Sequence, residues 1–563
     1  MGERLVLFFA LFALGGAWLV PLHFLPWVSW HSEVPAFLAI FLMGGLGLGH
    51  VLKAQRSATI HMPVSAVVWL GLGLLVALQA IGGLQNFMGD ALVLGLYFAL
   101  CAIAWVLGYG GGGASQRESL ATLEVVAGTL LAGAMASALI ALAQVFDVWD
   151  QFSWINRMPQ LRRPGGNLGQ PNQLATLLLM GMVSLLFLKQ TGRLSAQTSW
   201  LLFTVLCAGV AASESRTGLL SFVLIVLWGV AGRAWAGLRI SLWTIALATV
   251  LFFSLYLIWP LLMASAGSFA SDAQANTRPG LRLVVWPQLI DAALMRPWLG
   301  WGLREVSEAH NAVAHAYEIS EPFTYAHNLV LDLAVGAGLP LTGFLVLVTV
   351  VWFWRRVRAT RQLLSWYCVA AVLPFAVHSM LEFPFAYAYF LVPAMFLLGK
   401  LEALTGGRAV WRMNAKIAAV AVGVAAALAG WSVFEYLQIE EDFRVARFEA
   451  LRVGQTPSDH ERPKVLLLTQ LKALLEGARI VPEVGMSPER LDLARKVALR
   501  YPWPATQNRY ALSLALNGNT EEALRQLRVI RALHGEKTYA EIRLNWEVLG
   551  KDKYPQLREL KLP

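Results

Sequence analysis

Apolar residues fill most of the first three-quarters of the chain in continuous runs of about 20, broken by short polar stretches. Within a run they neither alternate nor keep to one stripe, which predicts helices apolar on every side. Crossing roughly 30 Å of hydrocarbon takes about 20 residues. The runs at 5–22, 34–52, 64–81, 91–109, 120–145, 174–188, 199–213, 217–232, 240–260, 328–353, 365–380, 383–399 and 414–436 therefore predict about thirteen transmembrane helices. The first follows Arg4, but no clean small-residue cleavage site succeeds it, so it reads as an uncleaved span. Beyond Leu437 the pattern changes. Charges become dense and mixed, and apolar residues take helical spacing at Ala511, Leu512, Leu514 and Ala515. After Asn517-Gly518-Asn519 the spacing resumes with Ala523, Leu524 and Leu527, and Thr520 before Glu521 and Glu522 reads as a helix N-cap. The pair at 508–533 is similar to one tetratricopeptide hairpin. The expected fold is all-α: a polytopic membrane domain over 1–436 with long loops at 146–173 and 261–327, then a soluble helical domain at 437–563.

Composition agrees. Hydrophobic residues make up 57% and charged ones 14%, against about 45–50% and roughly 25% in soluble domains, which excludes a soluble enzyme. The net charge of +10 suggests nucleic acid only until its position is examined. Arg4, Lys53 and Arg56, Arg117, Lys189 and Arg193, Arg233 and Arg239, Arg355–Arg361, and Lys400–Lys416 occupy alternate loops, while 23–33 and 82–90 hold no Lys or Arg. Positive charge inside predicts a cytoplasmic N-terminus and, with an odd span count, an external tail. No nucleic-acid partner is expected. Cys101, Cys207 and Cys368 lie within apolar runs and read as core hydrophobes. Gly108–Gly113 lacks a following Gly-Lys-Ser/Thr and reads as a flexible connector.

Candidate chemistry gathers on the outer face. Arg162-Arg163-Pro-Gly-Gly-Asn-Leu-Gly-Gln170-Pro171-Asn172-Gln173 combines guanidiniums for phosphate with amides for sugar hydroxyls, although a helix-capping turn near Asn172 would also use some of them. Ser213-Glu214-Ser215-Arg216-Thr217-Gly218 places charge beside two spans, either for function or as a self-neutralising turn. Arg278, Arg282 and Trp286 would share one helix face. Pro297-Trp-Leu-Gly300-Trp301-Gly302 follows, and His327-Asn328 opens the next span. An imidazole there can take a hydroxyl proton or serve as an interfacial hydrogen-bonder. His310 and His315 read as solvated loop residues. Glu382, Tyr387 and Tyr389 form another outer turn, as do Pro21–Trp27 and Glu33.

The order of these segments resembles the bacterial O-antigen ligase and polymerase superfamily, and more closely the PglL-type protein O-oligosaccharyltransferases. The resemblance rests on Pro21-x-His23-x-x-Pro26-Trp27, Gly166-Asn-Leu-Gly-Gln-Pro-Asn-Gln173, Ser215-Arg-Thr-Gly218, Arg282-x-x-x-Trp286, Pro297–Gly302, Ala326-His327-Asn328 and Leu381-Glu382-Phe-Pro384. It implies transfer of glycan from undecaprenyl pyrophosphate to a hydroxyl of an exported protein such as pilin, on the periplasmic face of the inner membrane. It implies an essential His327 and pyrophosphate-binding arginines at Arg163, Arg216 and Arg282, with Gln170 and either Tyr387 or Tyr389 in family motifs. Arg278, Asn172 and Glu382 join as candidate binders of donor or acceptor. A pyrophosphate leaving group needs only cations to neutralise it, so neither metal nor cofactor is expected. Two alternatives stand: an O-antigen ligase or polymerase whose acceptor is lipid A-core or another glycan, and a polyprenyl-lipid transporter, which would need polar groups near mid-membrane.

Overall fold

The computed structural model describes residues 2–54, 58–110, 115–148, 151–157, 163–265, 280, 282–451, 453–456 and 460–563. It is all-helical apart from one two-stranded sheet. The first helices are α1 (Gly2–Ala17), α2 (Trp30–Ala54), α3 (Val64–Ile81), α4 (Met88–Tyr109) and α5 (Gln116–Val145). They are followed by α6 (Pro171–Gln190), α7 (Ala196–Ser213), α8 (Arg216–Trp235) and α9 (Leu242–Ser265). Next come α10 (Arg282–Met295), α11 (Val306–Ala314), α12 (Leu329–Ala337), α13 (Leu339–Ala359), α14 (Leu363–Ser379), α15 (Ala388–Leu404) and α16 (Ala415–Leu451). The tail adds α17 (Thr469–Ala478), α18 (Pro488–Arg500), α19 (Pro504–Leu516) and α20 (Thr520–Asp552). Among the described residues ten helices are long and apolar enough to cross a membrane. The chain is a multi-pass membrane protein.

The other three predicted spans are also helices, but shorter: α1 has 16 residues and α14 and α15 have 17 each. The run at 328–353 is not one helix. Gly338, at φ 81°, separates α12 from α13, because its backbone lies where a Cβ would sit 2.3 Å from the Trp298 carbonyl. The last span continues past Tyr436 to Leu451, so no break falls at the change in composition. The sheet departs from the sequence pattern: β1 (Thr59–Pro63) pairs antiparallel with β2 (Ala409–Asn414), two five- or six-residue segments far apart in sequence that lie between the apolar runs. Gly108 is helical rather than part of a connector, and a Cβ there would meet the Phe396 carbonyl oxygen at 2.0 Å. In the tail the N-cap of α20 is Asn519, one residue before Thr520.

The chain forms two compact units. The first holds 1–73, 96–278 and 349–429; the second holds 74–95, 279–348 and 430–563. In the first, α6 packs against α5, α7, α8 and α14, and nearly all of it is buried. Small residues allow this close approach. A Cβ on Gly181 would stand 2.4 Å from that of Ala134, and one on Gly209 2.8 Å from Leu178. In the second unit α10 packs on α11 and α12, while α11 also meets α18 and α20 of the tail. The tail's own core joins Ala494, Ala498, Tyr510, Leu514, Leu527 and Trp546.

Candidate active site

In the first unit the central helix α6 is polar only at its head. Gln170 caps it, its side-chain oxygen accepting from the Gln173 amide at 2.7 Å, and Pro171 at the first helical position has no amide to satisfy. Asn172 then faces two neighbours. Its Nδ2 donates to Glu382 Oε1 at 3.2 Å, and its Oδ1 accepts from Ser215 Oγ at 2.6 Å. Ser215 in turn caps α8, accepting from the Gly218 amide at 3.0 Å, so Arg216 occupies the first position of that helix and is exposed. A helix N-terminus carrying an exposed guanidinium suits an anion twice over, through the dipole and through the charge. Arg163 fixes the turn before it. Its Nε donates to the Ser213 carbonyl at 2.9 Å and its Nη2 to the Glu214 carbonyl at 3.0 Å, across a left-handed Glu214 at φ 48°. Burial lowers the Arg163 guanidinium from its ordinary pKa; the Glu214 carboxylate opposes that fall and the Arg216 charge adds to it.

The glycine-rich approach to α6 is held just as firmly. Gln144 and Gly166 exchange hydrogen bonds at 2.9 and 3.1 Å, while Asn167 donates to the Leu19 and Trp154 carbonyls and His23 Nε2 meets its backbone oxygen at 2.6 Å. The two tyrosines separate by environment. Tyr389 is buried with its hydroxyl on Gln173 Oε1 at 2.8 Å, whereas Tyr387 is half-buried and stacks on Tyr389 with ring centroids 5.2 Å apart. Tyr387 is the more accessible phenol.

In the second unit His327 adopts φ 54°, a left-handed conformation that costs a non-glycine residue energy unless its surroundings impose it. They do so on both sides. The preceding Ala326 amide donates to Asp332 Oδ2 at 2.7 Å, and its carbonyl accepts from Trp286 Nε1 at 2.9 Å. The following Asn328 caps α12, accepting from Leu331 at 3.0 Å. The imidazole stacks on Phe323 with centroids 4.4 Å apart. The far end of α12 is clamped by the tryptophan–glycine turn. Trp301 and Gly302 donate to the Val335 and Gly336 carbonyls at 2.8 and 3.1 Å, and the Leu339 amide donates to Pro297 at 2.7 Å. Gly300 makes this possible: at φ 71°, a Cβ on it would lie 2.6 Å from the Val335 oxygen. Thus the Arg282-x-x-x-Trp286 and Pro297–Gly302 motifs meet at one short helix and orient the histidine that begins it.

Three family models match the chain. One described as protein glycosylation ligase covers 164–188, the approach to α6 and its polar head. One described as O-antigen ligase covers 200–346, from α7 through His327 into α13, and one described as virulence factor membrane-bound polymerase, C-terminal, covers 366–548. Among curated proteins, the general O-oligosaccharyltransferase of Acinetobacter baylyi is 26% identical over 538 residues, spanning 92% of this chain and 90% of that protein. The ComP-specific O-oligosaccharyltransferase of the same species is 26% identical over 404 residues, 69% of this chain and 70% of its own length. The chain is a glycosyltransferase, similar to the protein O-oligosaccharyltransferases. In this glycosyltransferase the first unit brings together Arg163, Gln170, Asn172, Arg216, Glu382 and Tyr387, while Arg282 and His327 belong to the second. Arg278 lies outside the described residues. Arg282 is the first residue of α10, four before Trp286.

Some positions of the glycosyltransferase differ from their sequence reading. His310 is not solvated: it is 1% exposed, hydrogen-bonded to Gln288 Oε1 and Ser320 Oγ at 2.9 Å each, and burial pushes its pKa down to about 4. His315 is half-buried at the end of α11. Among its described residues the loop 261–327 that holds them contains α10 and α11, and folding there buries polar groups that look exposed in sequence. Asp332, within an apolar run, gave no signal as the residue that pins Ala326. Thr176, paired with His378 Nδ1 at 2.8 Å, is equally inconspicuous in sequence.

Proposed function

We propose that this enzyme transfers an oligosaccharide from undecaprenyl pyrophosphate to serine or threonine hydroxyls of an exported, pilin-like protein. The reaction takes place at the periplasmic face of the bacterial inner membrane and needs no metal. The observation that carries this reading is His327, an imidazole held in a strained conformation by Asp332, Trp286 and Asn328 at the head of α12. His327 acts as the general base. It takes the acceptor hydroxyl proton as the oxygen attacks the anomeric carbon and the bond from that carbon to the pyrophosphate oxygen breaks. Arg216 neutralises the departing pyrophosphate, assisted by Arg163, Arg278 and Arg282, while Gln170, Asn172, Glu382 and Tyr387 orient glycan or acceptor. In this reading 1–436 is the catalytic membrane domain and 437–563 a periplasmic domain that positions the acceptor. Both similar proteins named above are O-oligosaccharyltransferases and the family model over 164–188 is described as protein glycosylation ligase, which favours a protein acceptor over lipid A-core.

The direct test is transfer of polyprenyl-pyrophosphate oligosaccharide to an acceptor protein by the purified enzyme, alongside mass spectrometry of exported proteins from a strain lacking the gene. Loss of a glycan mass from an exported protein supports the reading. Loss of the O-antigen ladder with glycoproteins unchanged makes lipid A-core the acceptor. Arg216→Ala should weaken donor binding and slow turnover together, since its contacts to pyrophosphate precede the transition state and strengthen in it. Arg216→Lys should restore only part, because an ammonium cannot reproduce the guanidinium fork. Equal activity in all three would remove Arg216 from the site. For topology, alkaline phosphatase fused after Leu437 should be active and the same fusion after Arg193 inactive; the reverse pattern overturns the periplasmic assignment.

A further inference from the structure

Among the described residues, the face of helix α10 that has no protein against it is apolar apart from Asp291 at its edge. Val285, Gln288, Leu289, Ala292 and Ala293 are buried against the second unit. The opposite stripe follows helical spacing through Leu283, Pro287, Ile290 and Leu294, with Leu283 62%, Ile290 49% and Leu294 58% exposed. Beyond its end Met295, Trp298 and Leu299 are 59, 77 and 70% exposed. A soluble loop helix would turn polar residues outward. With 14 residues α10 is also too short to span, reaching about 21 Å.

The hydrogen bonds of the second unit set the level of this patch. The Leu339 amide, at the first residue of spanning helix α13, donates to Pro297, immediately before Trp298. Gln79, near the end of spanning helix α3, donates to the Gly336 carbonyl at 2.9 Å and accepts from the Leu303 amide at 3.0 Å. Two span ends therefore hold the 297–303 turn at the depth where hydrocarbon gives way to headgroups, the level at which tryptophan is favoured. Arg296, exposed and stacked over Trp301 at 3.9 Å, supplies a cation at the same level for lipid phosphate. The only acidic residue of α10, Asp291, is exposed at the edge of this stripe and accepts from the Tyr317 hydroxyl.

We propose that α10 and the Pro297–Leu299 turn form an interfacial membrane anchor, with Leu283, Ile290, Leu294, Trp298 and Leu299 seated among acyl chains and Arg296 at the headgroups. The inference does not depend on the reaction assigned above. It gives α10 two duties, since its Trp286 also holds the carbonyl before His327. The bilayer surface thereby becomes part of what orients that histidine.

The test is nitroxide labelling of full-length protein in vesicles of phosphatidylethanolamine and phosphatidylglycerol. Single cysteines are introduced by Ile290→Cys, Leu294→Cys and Leu299→Cys; the native Cys101, Cys207 and Cys368 are buried and remain in place. Leu347→Cys in α13 serves as the bilayer reference and Glu541→Cys in the tail as the water reference. Labels at 290, 294 and 299 should collide with oxygen more than with a water-soluble nickel chelate, as at 347. Nickel accessibility matching position 541 would overturn the anchor. Shielding from both reagents would overturn it too, showing that protein covers the patch.

Discussion

Replacing His327 by alanine should lower the rate of glycan transfer by about 10²–10⁴, the usual contribution of a general base, while leaving the protein inserted and able to bind its donor. A hydroxyl is a poor nucleophile until a base within hydrogen-bond reach takes its proton. The loss should therefore appear in turnover rather than in donor affinity. Conformation sharpens the test. Because His327 occupies a left-handed backbone position, alanine and glycine differ in strain as well as in chemistry. His327→Gly relieves the strain and His327→Ala does not, yet both remove the imidazole. If the histidine acts as a base, both variants should be equally slow, and the glycine variant should be no less stable than the native protein. If its role were to shape the turn, His327→Gly should retain most of the activity. Single-turnover transfer from a lipid-linked donor, with donor binding measured separately, decides between them. Near-normal turnover in either variant removes the imidazole from the mechanism.

Replacing Arg500 by alanine should destabilise the protein by about 3–5 kcal/mol, the range for stranding one partner of a buried ion pair. Asp90, in the first turn of α4, is 1% exposed. Its two oxygens accept from Arg500 Nε and Nη2 at 2.8 Å each, a bidentate fork with the Arg500 side chain only 8% exposed. Arg304 stands 3.7 Å away. Next to the pair, Glu305 accepts from the Asn86 amide and side chain at 3.1 and 3.0 Å, and burial, followed by the Asp90 charge, pushes its pKa up to about 7. Without Arg500 the Asp90 carboxylate would keep only the longer contact to Arg304 and would face a second acidic group in a dry setting. Arg500→Ala combined with Asp90→Asn should recover much of the loss, whereas Arg500→Lys should recover less, since it keeps the charge without the fork. Thermal unfolding of the purified protein in detergent reports both. Arg500→Ala as stable as the native protein would show that the pair contributes nothing, and a single variant as stable as the double would show that the stranded carboxylate carries no cost.

The local pattern was enough to establish the helices, because a continuous apolar run about 20 residues long has few stable solutions other than a span. All thirteen predicted runs contain helix, and the helical tail followed from spacing at Ala511–Leu527. The motifs at 166–173, 215–218 and 326–328 could also be read, since amides and guanidiniums concentrated in an apolar chain stand out. Their individual duties could not. Whether Gln170 caps α6 while Asn172 reaches Glu382 depends on a partner 210 residues away. Arg163 holds two backbone carbonyls, and Tyr387 rather than Tyr389 is left accessible, for reasons equally remote in sequence. The break at Gly338, the β1–β2 pairing and the burial of His310 likewise come from segments meeting in space. Hydrophobicity and helical period are properties of neighbouring residues, so the chain reveals them directly. Close approach of backbones and satisfaction of buried polar groups depend on which distant atoms arrive within 3 Å or so, and only the tertiary structure decided that.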